Sequence, residues 1–244
     1  KRSSQDTFLR SYGLNSNTAL KSEFTGSKTT KNSFYNVEFS EVQNLTDTST
    51  NKNSPRILPS ITFEQTGNGL IKDQDLTTKM HANHVSNDLG HDITRWNIQQ
   101  TAFTSDENSL GVIDSEIGYL GSFYQVNKRN DGFTKTGEIA RANLHASVGW
   151  RQYYNYIINK KSLIIEPKIK LTFIGGDDKN NDIPNRDSAD FRVDSANMFL
   201  TNRFQGYDYV LPGARADIGL SAFTNSELIG SLHGFTGVSR RHTG

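Results

Sequence analysis

The sequence predicts an all-β fold, an antiparallel sheet of about ten strands, and three observations carry that expectation. Apolar and polar residues alternate with period two along run after run, and sustained helical periodicity is missing. No stretch approaches the ~20 apolar residues of a membrane helix; the longest apolar patches, such as Leu163-Ile164-Ile165, are very short. The alternating runs approach or exceed about ten residues, longer than the common strand and long enough to cross a bilayer when tilted.

In chain order, Asn17 to Lys28 reads as a strand with Leu20 and Phe24 on one face, and Ser33 to Val42 as its partner with Tyr35, Val37 and Phe39. Asn44 to Pro55 is polar and unpatterned, a loop. Ile57, Pro59, Ile61 and Phe63 share a face, and Pro59, lacking an N–H, limits that strand's ladder. After a Gly67-Asn68-Gly69 turn, Leu76, Thr78, Met80, Ala82 and His84 oppose Thr77, Lys79, His81 and Asn83. Trp96, Ile98, Gln100 and Ala102 then oppose Arg95, Asn97, Gln99 and Thr101. Ile113, Ile117, Tyr119 and Phe123 lie against Asp114, Glu116 and Ser122. Lys128 to Lys135 is a polar link, and two long runs follow. Leu144, Ala146, Val148 and Trp150 alternate with Asn143, His145, Ser147 and Arg151; Leu163, Ile165, Pro167, Ile169, Leu171 and Phe173 alternate with Glu166, Lys168, Lys170 and Thr172. A long extended loop at about 176–212 separates them from Ala216, Ile218, Leu220 and Ala222, and a weaker run crosses Leu228 to Val238.

Composition narrows the function classes. The 244 residues have 34% hydrophobic content and 27 basic against 26 acidic side chains, a formal +1; mean hydropathy is −0.63. A strongly basic nucleic-acid surface is excluded by that balance. Cysteine is absent, which excludes disulfides and thiolate metal sites within the chain. It opens on Lys-Arg-Ser-Ser, without a Met or an apolar leader, and is expected to be a mature or internal portion of something longer.

The chemistry concentrates in the long loop. Asp187 to Tyr209 has no regular period but is dense in Asp, Asn, Arg and aromatic residues, the make-up of an ordered loop rather than a linker. Gly206 would permit a backbone turn of positive φ, Phe204 and Tyr207 could plug inward, and Arg203 could pair with Asp208 or Asp190. The carboxylates Asp177, Asp178, Asp182, Asp187, Asp190 and Asp194 lack the spacing of a calcium loop and read as solvated, or as partners of Arg186, Arg192 and Arg203. His81 and His84 fall on opposite strand faces, which argues against a shared metal. No nucleophile, metalloprotease or phosphate-loop motif occurs, so no catalytic residue and no cofactor is expected. Glu166, Lys168 and Lys170 project to one side, as do His145 and Arg151 on the neighbouring run, cationic donors suited to phosphate or carboxylate.

Alternation alone does not say what the apolar face touches. A soluble sandwich, as of a glycan-binding protein, buries it; a transmembrane barrel turns it to lipid and keeps the polar face inside. Strand length and the aromatics near run ends (Phe123, Tyr153, Tyr154, Tyr156, Phe173) favour the barrel. A resemblance points the same way. Ile165-Glu166-Pro167, Ile183-Pro184-Asn185, Asp190-Phe191, Asn197-Met198-Phe199, Asn202-Arg203-Phe204-Gln205-Gly206-Tyr207-Asp208 and Gly219-Leu220 resemble the C-terminal barrel domain of the LptD family of lipopolysaccharide-assembly proteins. Phe8 to Gly13 and Leu58-Pro59 are weaker matches upstream. The resemblance implies that 1–244 is part of one transmembrane barrel in the Gram-negative outer membrane, with no periplasmic jelly-roll domain in this chain. It implies a conduit that delivers lipopolysaccharide to the outer leaflet, with an LptE-like plug lipoprotein, an LptA-like periplasmic bridge and outer-membrane lipid as partners. A general porin or receptor barrel is the alternative.

Overall fold

In a computed structural model, the described residues are 19–44, 54, 56–86, 90, 92–129, 132, 135–158, 161–188, 193–204, 206–226 and 230–242. They form β1 (Ala19–Thr29), β2 (Ser33–Asn44), β3 (Arg56–Asn68), β4 (Gln74–Ser86), β5 (Asp92–Asn108), β6 (Gly111–Lys128), β7 (Gly137–Arg151), β8 (Tyr154–Ile158), β9 (Lys161–Gly176), β10 (Gly213–Ser226) and β11 (Gly230–His242). The expected polar loop at Asn44 to Pro55 falls almost wholly outside the described residues, as do Phe8 to Gly13, Asp190, Phe191, Arg192 and Gln205.

All eleven strands belong to one antiparallel sheet, a meander in the order β1-β2-β3-β4-β5-β6-β7-β9-β10-β11 with β8 paired only to β9. Ten strands were expected, and the extra one has a local cause. Arg151 opposes Lys168 and Tyr154 opposes Ile165, so β7 and β8 keep a single register against β9. Between them Gln152 donates to the Pro167 carbonyl at 3.3 Å, but Pro167 has no N–H to return. β8 is the continuation of β7 past that gap. Pro59 acts similarly in β3, where the register shifts between Ile57 and Ser60. Strand lengths exceed the expectation elsewhere, reaching 17 residues in β5 and 18 in β6.

The two faces are inverted relative to a soluble sheet. One face presents Phe24, Ile61, Met80, Trp96, Ile117, Leu171, Phe173 and Ile218 in the open, with Leu144 69% and Val238 63% exposed. The other buries Asn83, Arg95, Asn97, Ser122, Arg141, Asn143, His145, Thr172 and Asp217. No second sheet covers the apolar face among the described residues, which removes the sandwich. What covers the polar face is the loop 177–212, and the apolar cores lie beneath it: Ile93, Tyr124, Val126 and Ile139 against Ile183, and Leu120 and Ile174 against Val210 with Tyr207. Among the described residues β1 and β11 are each paired on one side only, so the sheet is open, consistent with a section of a larger barrel.

Connections differ between the two ends of the sheet. Links 45–55, 87–91, 129–136 and 177–212 lie at one end and 30–32, 69–73, 109–110, 159–160 and 227–229, none longer than the shortest of the first set, at the other. The organising loop therefore starts at the long-link end and folds back over the inner face.

Candidate functional site

Two buried charge networks and a cavity hold the loop on the sheet. The first centres on Asp208, fully buried, whose two carboxylate oxygens each accept from Arg95 Nη1 at 2.8 Å. Tyr124 Oη donates to it at 3.0 Å, and the backbone N–H groups of Arg186 and Asp187 at 2.7 and 3.1 Å. Arg95 also reaches Asp187 at 2.8 Å and is oriented from β4 by Asn83 Oδ1 at 2.6 Å. Arg141 on β7 donates to the carbonyls of Asp208 and Tyr207. Asp187 in turn accepts from the N–H groups of Tyr207 and Asp208 at 3.1 and 3.0 Å. Burial pushes the Asp208 carboxyl above its ordinary range against the pull of Arg95. Burial acts on Asp187 as well, but Arg95 and those backbone donors outweigh it and hold that carboxyl low. Two carboxylates around one guanidinium divide in this way because they cannot be equally ionised at close range.

Gly206 makes the approach possible. Its φ is +81°, and a Cβ there would lie 2.4 Å from the Asp187 carboxylate; the positive φ expected at this glycine is therefore present, with a close contact added to it. Tyr207 stacks on His81, ring centroids 5.3 Å apart, and Phe204 packs on Tyr209 at 4.3 Å.

The second network corrects an expectation. Among the described residues the partner of Arg203 is not Asp208, and Asp190 lies outside them: Arg203 pairs with fully buried Asp217 on β10 at 2.5 Å and donates to Ser239 Oγ on β11 at 2.8 Å and to the Met198 carbonyl, which ties the loop to the sheet. Arg215 holds the other oxygen of Asp217 at 2.8 Å. Beside this pin, Met198 and Phe199 lie over a pair of opposed glycines, Gly219 and Gly237. Asp194 shapes the turn that carries them, accepting from the N–H groups of Ala196 and Asn197 at 2.9 and 3.1 Å, while Asn197 Oδ1 accepts from Asp194 N at 3.0 Å. Asn202 Oδ1 accepts from Phe204 N at 3.3 Å. Nor is the acidic cluster merely solvated: Asp187 belongs to the first network and Asp182 pairs with Lys135 on the neighbouring link.

Between the networks lies a cavity of about 300 Å³ lined by Glu116, Leu120, Asn143, His145, Lys170, Thr201 and others. Glu116 is its hub. It accepts from Thr201 Oγ1 at 2.8 Å and contacts His145 Nε2 at 3.2 Å and Lys170 Nζ at 3.7 Å. All five residues expected on the polar face, His145, Arg151, Glu166, Lys168 and Lys170, lie on the loop-bearing side of the sheet. Each of the cations has a carboxylate beside it, however: Arg151 pairs with Asp114 at 3.0 Å and Lys168 with Glu166 at 2.9 Å. The inner wall is thus a set of neutralised pairs, with Arg151 and Lys168 the less covered and Lys170 and His145 beneath the loop.

Arg95, Tyr124, Arg141, Asp217 and Thr201 were not singled out from sequence. A signal existed for Arg95, Arg141 and Asp217, since a charge in mid-strand on the buried face requires a partner; the identity of that partner, up to 113 positions away for Arg95 and Asp208, is not encoded locally.

Comparison with curated proteins finds no match to this chain. A family model does match: LptD, described as LPS transport system D, aligns with residues 3–227. That span takes in β1 to β10 and the whole loop, with every member of the two anchoring networks except Ser239 on β11, and the chain belongs to the LptD family.

Proposed function

We propose that this chain is part of the outer-membrane barrel through which lipopolysaccharide is delivered to the outer leaflet. The observation that carries the reading is the inversion of faces, apolar side chains outward and paired charges inward under a seated loop, in a member of a lipopolysaccharide-transport family. An apolar exterior with a polar interior is how a β-sheet stands in lipid, where every backbone group must find a partner inside the protein. The role is transport, not catalysis. Longer links face the exterior in such barrels and short turns the periplasm, so the loop 177–212 enters from the outside and narrows the lumen along β4 to β11. Its partners are lipopolysaccharide, a plug lipoprotein of the LptE kind in the lumen and an LptA-like bridge on the periplasmic side.

The glycolipid's phosphates would meet Arg151 and Lys168 first, since these are less covered than Lys170 and His145, and would have to compete with Asp114 and Glu166 for them. Exchange between carboxylate and phosphate partners suits a conduit, because cargo held too tightly does not leave. Photo-crosslinking in cells tests this, with the probe placed at Lys168 on the inner face and separately at Leu171 on the outer face. Energy-dependent capture of lipopolysaccharide at 168 with little at 171 is expected; equal capture at both, or none at 168 in an assembled barrel, would overturn it.

A further inference from the structure

The outer face has a feature that the conduit does not use. On the lipid side of β10, Ala214 and Ala216 form the floor of a groove of about 520 Å³. Phe173 and Leu171 of β9 stand along one side, directly opposite Ala214 and Ala216 in the ladder, with Ala146 and Val148 of β7 beyond them. Along the other side stand His242 and Arg240 of β11, opposite the same two alanines. The groove therefore has an apolar wall, a small-residue floor and a wall carrying one arginine and one histidine, and it lies at the long-link end of β9 to β11.

The cations are the informative part. Arg203, Arg215, Arg151, Lys168 and Lys170 on the inner face all have carboxylate partners. Arg240 and His242 face outward, and no carboxylate stands beside either among the described residues. An arginine on the lipid face is costly near the bilayer midplane and nearly neutral at the interface, and Arg240 stands opposite Ala216, the fourth residue of β10 from its long-link end at Gly213. There the anion available to it is a lipid phosphate.

Resting on the reading that this face meets the membrane, we propose that the groove along β10 holds a phosphate-bearing lipid of the surrounding bilayer, an acyl chain over Ala214 and Ala216 against Leu171 and Phe173, and its phosphate at Arg240 with His242. This lipid is a resident of the barrel wall, outside the lumen. Guanidinium and phosphate match as a fork and two oxygens, and the alanines leave the space that larger residues elsewhere on the face fill.

The test is native mass spectrometry of the full protein released from nanodiscs containing phosphatidylglycerol and phosphatidylcholine in equal amounts. Selective retention of phosphatidylglycerol is expected. Arg240→Gln should weaken it about fivefold, which is what roughly 1 kcal/mol per cation amounts to, and Ala216→Trp, which fills the floor without removing charge, should abolish it. Arg241→Gln, an equal charge change on the inner side, where Arg241 donates to the Pro212 carbonyl, should leave retention as it is. Insertion without selective retention, or equal loss in R240Q and R241Q, overturns the proposal alone. Failure to enter the nanodisc overturns the barrel reading and the proposal together.

Discussion

The Asp208 side chain has no exposed surface, yet it is surrounded by two side-chain donors and two backbone N–H groups, so its burial is compensated rather than tolerated. The consequence is an asymmetry between single and double changes. Arg95→Met leaves the buried Asp208 carboxylate without its guanidinium and should lower stability by about 3–5 kcal/mol; Asp208→Asn should cost less, because Arg95 keeps its ion pair with Asp187. Together they should cost clearly less than their sum, since the double variant no longer buries the Asp208 carboxylate without Arg95 and only the less buried Asp187 loses its partner. Urea unfolding of the purified protein gives all four corners of that cycle, and additive losses would show that the two residues act independently. Arg203 sets a narrower test. Lysine keeps the charge but cannot reach Asp217, Ser239 and the Met198 carbonyl with one planar group. Arg203→Lys should leave buried groups short of partners, at about 1–3 kcal/mol, seen as faster hydrogen exchange over 194–204. Unchanged exchange there would mean that Arg203 is not the pin.

The loop is seated by elements as much as by single side chains. Gly219 on β10 and Gly237 on β11 face each other, and a Cβ on Gly219 would come within 2.8 Å of the Phe199 ring, while one on Gly237 would come within 2.7 Å of Met198 Sδ. Gly219→Val should therefore lift the Met198–Phe199 turn off the sheet and open 194–204 to protease. Leu220→Ala, one position along and on the outer face, should leave the loop protected. If both variants are cut alike, the glycine pair does not seat the turn. This scale also divides what was legible in the sequence from what was not. Alternation placed the strands, assigned His145, Lys168 and Lys170 to one face correctly, and marked 176–212 as an ordered link, because a side-chain period of two is a local property. Arg203 was recognisable as a pin from its type and setting. Its partner was sought inside the loop because sequence proximity was the only guide, whereas Asp217 is brought over by β10 and Ser239 by β11. The cavity hub at Glu116, reached by Thr201 from 85 positions away, was hidden for the same reason.

At the scale of the molecule, everything rests on which medium the apolar face meets, and the chain carries its own reporters. It has two tryptophans, and both lie on the outer face. Trp96, 58% exposed, lies in β5 near the long-link end. Trp150 lies opposite Ile113 and Ile169 towards the short-turn end, its ring N–H donating to the Leu110 carbonyl at 2.8 Å. A face in lipid would place them near opposite interfaces, where tryptophan rings collect. Refolded into vesicles, the protein should lose fluorescence to lipids brominated along the acyl chain and be little affected by iodide in the water. Lipids brominated close to the headgroup should quench more than those brominated near the chain end. Trp96→Phe and Trp150→Phe variants, each leaving one reporter, should show the same ordering, because the two rings occupy equivalent depths in opposite leaflets. Strong iodide quenching with no effect of brominated lipid would place the apolar face in water or against protein. The inversion of faces would then have to be explained by a covering partner, and the conduit reading would lose the observation on which it stands.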